Sequence, residues 1–61
     1  MERYMVYCYK YDEQCNEIIL SIEGVFKNGM NADKLCEKLN NDIQYSNVDY
    51  YYSVSKIIWE E

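Results

Sequence analysis

The sequence predicts a small α+β domain of the order ββαβ, in which one helix packs on one face of a three-stranded, mainly antiparallel sheet. Two observations predict this fold class. Three segments are dense in aromatic and β-branched residues, which favour strands. One segment between the second and third of them repeats apolar residues at helical spacing. Because 61 residues leave little room for a second core, residues 1–61 are predicted to form a single domain.

The first two strands are predicted at residues 3–11 and 17–23, joined by a polar hairpin loop at residues 12–16. Apart from Ile19, the second strand alternates between apolar and polar residues, which is typical of a half-buried strand. It could extend to Phe26 through a bulge at Gly24.

The helix is predicted to begin after Asn31, because asparagine is a good N-cap residue. Its end is expected at Asn40 and Asn41, since asparagine tolerates the left-handed conformation found after helices. The apolar residues at helical spacing form one stripe, which consists of Ala32, Leu35, Cys36, Leu39 and Ile43.

The third strand is predicted at residues 48–59, where it could bend near residues 53–55. A right-handed connection through the helix places that helix on one face of the sheet. The third strand could pair antiparallel with the first or parallel with the second, and the sequence does not decide between these pairings.

Even-numbered strand residues are predicted to face the helix, because side chains along a strand alternate between the two faces of a sheet. They form a plausible core together with the apolar stripe of the helix. This predicted core consists of Tyr4, Val6, Cys8, Ile18, Leu20, Ile22, Val48, Tyr50, Tyr52, Val54 and Ile58.

Odd-numbered strand residues are predicted to form a second apolar face, which one helix cannot also cover. Tyrosine and tryptophan bury a large area while keeping a polar tip, and they are enriched at protein interfaces. The competing interpretation is that tyrosine simply suits exposed strand positions through cross-strand pairing. The candidate interaction residues are Met5, Tyr7, Tyr9, Tyr11, Ile19, Tyr51, Ile57 and Trp59.

The chain is also predicted to form a homodimer, joined through the sheet face or by an edge strand, because a core of this size barely offsets the entropy lost on folding. Disulfides and metals, the other usual remedies, are not indicated. Three cysteines cannot all pair within one chain, and there is no histidine to complete a zinc site. Cys8 and Cys36 are predicted core thiols and Cys15 is a predicted loop thiol. No metal or cofactor is expected.

Charge and the first residues predict a cytoplasmic protein that binds neither membranes nor nucleic acid directly. The net charge of −5 argues against the positive patch that binding to phosphates or anionic lipids requires. Met1-Glu2-Arg3 does not begin a basic-then-apolar signal segment. No apolar run approaches the roughly 20 residues that cross a bilayer.

Catalytic chemistry is not indicated, so no enzymatic activity and no catalytic residue are predicted. The absence of histidine removes the usual proton shuttle. The adjacent acids Asp12-Glu13 and Glu60-Glu61 are typical of solvated charge. Gly24 and Gly29 belong to no phosphate-binding loop.

These observations favour a non-enzymatic protein-binding module. Small size, acidity and a composition rich in Asn, Ile, Tyr and Lys without proline are shared with accessory proteins of phages and mobile elements. Such proteins bind a larger host protein and block it sterically. One alternative is an acidic mimic of nucleic acid that inhibits a nucleic-acid-binding enzyme. A second alternative is a small dimeric structural or regulatory subunit.

Overall fold

The computed structural model describes residues 1–60 and confirms the α+β fold with the order ββαβ. The strands form one antiparallel sheet in the order β2-β1-β3. The third strand therefore pairs antiparallel with the first, which answers the question that the sequence left open. The elements are β1 (Glu2–Tyr11), β2 (Glu17–Phe26), α1 (Gly29–Ile43) and β3 (Tyr50–Ile58).

The hairpin loop between β1 and β2 is organised by Asp12, as expected for a polar turn. Its backbone N–H donates to the carbonyl of Asn16 at 3.0 Å, and its carboxylate accepts from the backbone N–H groups of Gln14 and Asn16 at 2.9 and 2.8 Å. These bonds, led by the one from Asn16, lower the pKa of the Asp12 carboxyl. Cys15 takes a left-handed backbone conformation with φ of 64°.

The helix begins earlier and ends later than its asparagines suggested. Its N-cap is Asn28, whose side chain accepts a hydrogen bond from the Met30 N–H at 2.8 Å, so the prediction of Asn31 as N-cap is wrong. The expected end at Asn40 and Asn41 is also wrong, because α1 continues to Ile43. The side-chain amide of Asn40 instead points toward the sheet and forms hydrogen bonds with the backbone of Tyr52 on β3.

Strand β2 contains two bulges, which break the simple alternation of its side chains. Opposite β1, the register skips one β2 residue between Val6 and Tyr7 and another between Cys8 and Tyr9. The skipped residues are Glu23 and Leu20. Each extra residue shifts the following side chains to the other face. The extension of this strand to Phe26 agrees with prediction. The bulge at Glu23 lies directly beside Gly24, where the sequence suggested one.

The buried core is smaller than predicted. Within residues 1–60, the buried apolar side chains are Val6, Cys8 and Ala32. Four predicted core residues are instead exposed, and that part of the core prediction is wrong: Ile18, Leu20, Ile22 and Ile58, at 40%, 49%, 60% and 71%.

The position of α1 explains why a helix-side residue of β2 such as Ile18 is exposed. The helix packs mainly along β1 and β3 and less along β2, so most of β2 lies beyond its cover. It approaches β2 at Gly24, where an added Cβ would lie 2.9 Å from a ring carbon of Phe26 and 3.9 Å from Leu35. The missing side chain at Gly24 therefore leaves room for the Phe26 ring, whereas the distance to Leu35 is that of an ordinary van der Waals contact.

Candidate protein-interaction surface

The sheet has one face without a helix, here called the open face. Val6 and Cys8 of β1 are buried beneath α1, so the alternate residues of β1 point to the opposite side. Directly paired residues share a face of the sheet. The pairing of Tyr9 with both Ile19 and Tyr51 therefore extends the open face across all three strands.

The structure brings seven of the eight candidate residues together on the open face. Met5, Tyr7, Tyr9 and Tyr11 come from β1; Ile19 and Tyr51 are paired with Tyr9, and Ile57 is paired with Arg3. The eighth, Trp59, lies just after β3 and is 42% exposed. Its N–H donates to the Met1 carbonyl at 2.7 Å, and its carbonyl accepts from the Met1 amino group at 3.2 Å.

Four tyrosines at the centre of this face, Tyr7, Tyr9, Tyr11 and Tyr51, form the tyrosine cluster. The ring centroid of Tyr9 lies 5.8 Å from that of Tyr7, 5.6 Å from that of Tyr11 and 6.0 Å from that of Tyr51. The Tyr9 and Tyr11 rings meet edge to face at 88°. All three centroid distances are those of interacting aromatic pairs, and the edge-to-face angle of Tyr9 and Tyr11 is a favoured one. The cluster is thus held in place around Tyr9 before any partner arrives.

The hydroxyl at the centre of the cluster is protected from ionisation. Burial, followed by the neighbouring Tyr11, raises the pKa of the Tyr9 hydroxyl. Like any tyrosine with a pKa of 10 or above, Tyr9 keeps an uncharged hydroxyl at neutral pH, which can donate or accept a hydrogen bond. The cluster offers a partner flat apolar rings with polar hydroxyl tips.

Two further apolar residues lie on the open face: one bulge brings Ile22 there against its parity, and the extension of β2 beyond residue 23 adds Val25. Ile22 is paired with Tyr7 and is 60% exposed, and Val25 is paired with Met5 and is 37% exposed. The signal was Gly24, since a glycine within a strand often marks a bulge. It could not show how many bulges occur, because the second one lies between residues with ordinary strand propensity.

Charged side chains lie at the ends of the open face rather than in its middle. By strand register, Arg3 lies at one end beside Ile57, and Glu17 lies at the other beside Tyr11. Glu23 belongs to the helix side, since it accepts from the Ser21 hydroxyl at 2.7 Å and raises the pKa of the buried Cys8 thiol after burial itself. A protein with a net charge of −5 thus keeps a largely uncharged surface on one side.

A cleft of about 490 Å³ adjoins the cluster where β3 begins, beside the end of α1. Its described lining residues offer hydroxyl, amide and aliphatic groups, without a carboxylate, an amine or a thiol. The amide of Asn40 within it is already bonded to the backbone of Tyr52. The lining therefore supplies no acid–base pair. It consists of Tyr9, Asn40, Ile43, Gln44, Ser46, Val48, Tyr50, Tyr51 and Tyr52.

Two searches within residues 1–60 concern other kinds of site. No group of three or more cysteine or acidic side chains in this range is arranged to hold a metal ion. None of the helical structure in the same range is long and apolar enough to cross a membrane.

The fold and this surface together define a small α+β domain with one helix-covered sheet face and one aromatic, uncovered face. Comparisons with protein-family models, with curated proteins and with solved structures find no match to this chain. Its own residues therefore carry the functional argument.

Proposed function

We propose that this protein is a non-enzymatic binding module, which docks on a larger protein through the open face and blocks it sterically. The observation that carries the proposal is the tyrosine cluster, packed around Tyr9 on a face that no part of residues 1–60 covers. Tyrosine anchors bind well because a rigid ring loses little conformational entropy and its hydroxyl still finds a polar partner.

The size of the molecule is compatible with this role. Its extents are 36 × 25 × 13 Å, and the two longer dimensions give a broad side of about 900 Å². A typical stable interface buries roughly 800 Å² on each partner. The open face and its rim are thus large enough to block a site on a larger protein.

The charge distribution favours a protein partner over nucleic acid. Bases stack well on aromatic faces, but the phosphates beside them require a groove lined with cations. Among the described residues, none in the middle of the open face is a cation. The acidic mimic is also less well supported, because Lys34 and Lys38 lie beside Asp33 and Glu37 on α1 and interrupt any acidic stripe. We place the partner, a host protein, in the cytoplasm.

The test compares Tyr51→Lys with the matched control Met30→Lys. Both wild-type side chains are exposed and apolar, at 47% and 64%, but only Tyr51 lies in the tyrosine cluster. Immobilised wild type and both variants are incubated with lysate of the source cells, and the affinity of the captured protein is then measured after purification. Tyr51→Lys should weaken binding about 30-fold, the usual loss at an interface hot spot. Met30→Lys should bind as wild type does.

Circular dichroism should show that both variants keep the fold, since exposed substitutions change stability by only about 0.5 kcal/mol. Equal binding by Tyr51→Lys and wild type would refute the role of the open face. Raising salt from about 50 mM to about 500 mM separates the alternatives, because it weakens electrostatic mimicry strongly and aromatic burial little.

A further inference from the structure

We infer that two copies of this chain pair antiparallel through the outer edges of their β2 strands, giving a continuous six-stranded sheet. This dimer is independent of the open face as a docking surface. Strand β2 is an edge of the sheet, so its outward backbone N–H and C=O groups have no strand beside them within residues 1–60. Unpaired edges of this kind are templates for pairing with another chain.

The side chains of β2 are apolar and exposed on both faces at once. Ile18, Ile19 and Leu20 follow one another and are 40%, 54% and 49% exposed, and Ile22 beyond them is 60% exposed. A strand that needed cover on one face alone would alternate apolar with polar residues. Apolar exposure on both faces is instead reduced by a neighbouring strand at the edge, whose side chains flank those of β2 above and below the sheet.

The opposite edge of the sheet is guarded, which limits the assembly to two copies. The Asn40 amide donates to the Tyr52 carbonyl and accepts from the Tyr52 N–H, both at 3.0 Å. A strand approaching β3 would therefore meet the helix at that point. Lys56, also on β3, is the kind of charged residue that discourages edge pairing. Pairing through β2 alone uses one edge of each copy and closes the assembly.

The charges at the two ends of β2 indicate that the occupant is a second copy. Glu17 begins the strand, and Lys27 comes directly after its end at Phe26. Both residues lie five positions from Ile22, so antiparallel pairing about Ile22 sets Glu17 of each copy opposite Lys27 of the other. The two-fold symmetry makes this contact twice. Opposite charges placed across a sheet are favourable, and like charges are unfavourable.

The geometry of such a dimer leaves the open face accessible. A two-fold axis perpendicular to the sheet keeps both helices on one side and both tyrosine clusters on the other. The two bulges twist β2 and shorten its straight stretches, which favours a reversible contact over extended edge-to-edge aggregation.

A charge exchange across β2 tests the pairing, with sedimentation equilibrium from about 1 μM to about 1 mM as the measurement. Wild type should show a reversible monomer–dimer equilibrium. Glu17→Lys and Lys27→Glu should each raise the dimer Kd about tenfold, because each change creates two like-charge contacts. The double variant Glu17→Lys/Lys27→Glu should return to within about threefold of wild type. A monomer throughout, or a double variant as weak as the single ones, would overturn the proposal.

A second pair of variants probes the apolar part of the edge. Leu20→Lys should raise the dimer Kd, whereas the control Ile58→Lys, at an exposed apolar residue of β3, should leave it unchanged. Amide hydrogen exchange locates the contact directly: protection of residues 17–26 should increase with protein concentration while that of residues 50–58 stays constant. A dimer in which the β2 amides gain no protection would be stacked through the open face and would contradict edge pairing.

Discussion

Asn40 acts as a short substitute for a fourth strand. Its amide offers one donor and one acceptor at the spacing of a peptide group, and Tyr52 uses both. The same amide also approaches the Cys36 sulfur at 3.6 Å. A polar residue on the inner side of the helix is thereby fully occupied, and it ties the last turns of α1 to β3. This role accounts for an asparagine in the helix where the sequence suggested a helix end.

We expect Asn40→Ala to destabilise the protein by about 1–3 kcal/mol, because it leaves the half-buried N–H and C=O of Tyr52 without their partner. The neighbouring exposed residue provides the control: Asn41→Ala should change the free energy of unfolding by less than about 0.5 kcal/mol. Urea denaturation of the two variants measures both values. Equal stability of the two variants would show that the Asn40 amide is not a structural tie.

At the scale of the secondary-structure elements, α1 shows which features of a helix the local sequence can predict. Its apolar stripe gave the existence and the inner face of the helix. Its first residue was misassigned because Asn28 and Asn31 are equally good caps by type. What distinguishes them is the backbone: Asn28 is extended, with φ −110° and ψ 121°, and its side chain reaches the Met30 N–H.

The cap assignment is testable by comparing the two asparagines. Asn28→Ala should cost about 1 kcal/mol, the typical value of an N-cap side chain. Asn31→Ala should be neutral or slightly stabilising, because Asn31 lies in the first turns of the helix, where alanine has the better propensity. Thermal melts followed at 222 nm record both changes. A larger loss for Asn31→Ala would move the cap back to the position that the sequence suggested.

The three strands could be predicted, but the faces of β2 could not. Strand propensity and the polar loop at residues 12–16 are local properties, and they sufficed for the hairpin. The face of each β2 residue depends on bulges that form only when β2 pairs with β1. For β1 and β3, which pair without a register shift, parity placed Tyr7, Tyr9 and Tyr51 correctly on the open face.

At the scale of the whole molecule, burial is shallow and unevenly distributed. The described chain is 13 Å thick in its shortest direction, which corresponds to one sheet and one helix. Few side chains can be excluded from water in such a layer. A domain of this size is marginal on its own, and pairing with a second copy would add to its stability by an amount that grows with the logarithm of protein concentration.

Alkaline pH should destabilise the fold. Burial raises the pKa of the thiols of Cys8 and Cys36 and of the hydroxyls of Tyr9 and Tyr52 above their ordinary values of 9.0 and 10.0. The unfolded chain therefore loses these protons first, and the free energy of unfolding falls as pH rises past about 9. Below that pH these groups contribute a constant amount.

Urea midpoints measured from about pH 7 to about pH 11 give this dependence. Tyr9→Phe removes one of the four groups, so the fall of the urea midpoint above about pH 9 should be shallower than in wild type. Near neutral pH none of the four groups ionises, so the removal of this ionisation should not change the midpoint there. A midpoint that stayed level or rose between about pH 9 and pH 11 would contradict the prediction.

The hydrogen bonds between Met1 and Trp59 have a mechanical consequence. They place residues 1 and 59 side by side at the same end of the β1–β3 ladder. Tension applied between these two residues would open the ladder from that end, loading one hydrogen-bonded pair after another. Tension between Tyr11 and Trp59 would instead load all the pairs at once, because those residues lie at opposite ends of the ladder. The sheet is thus built to resist sliding along its strands and to open readily when residues 1 and 59 are pulled apart.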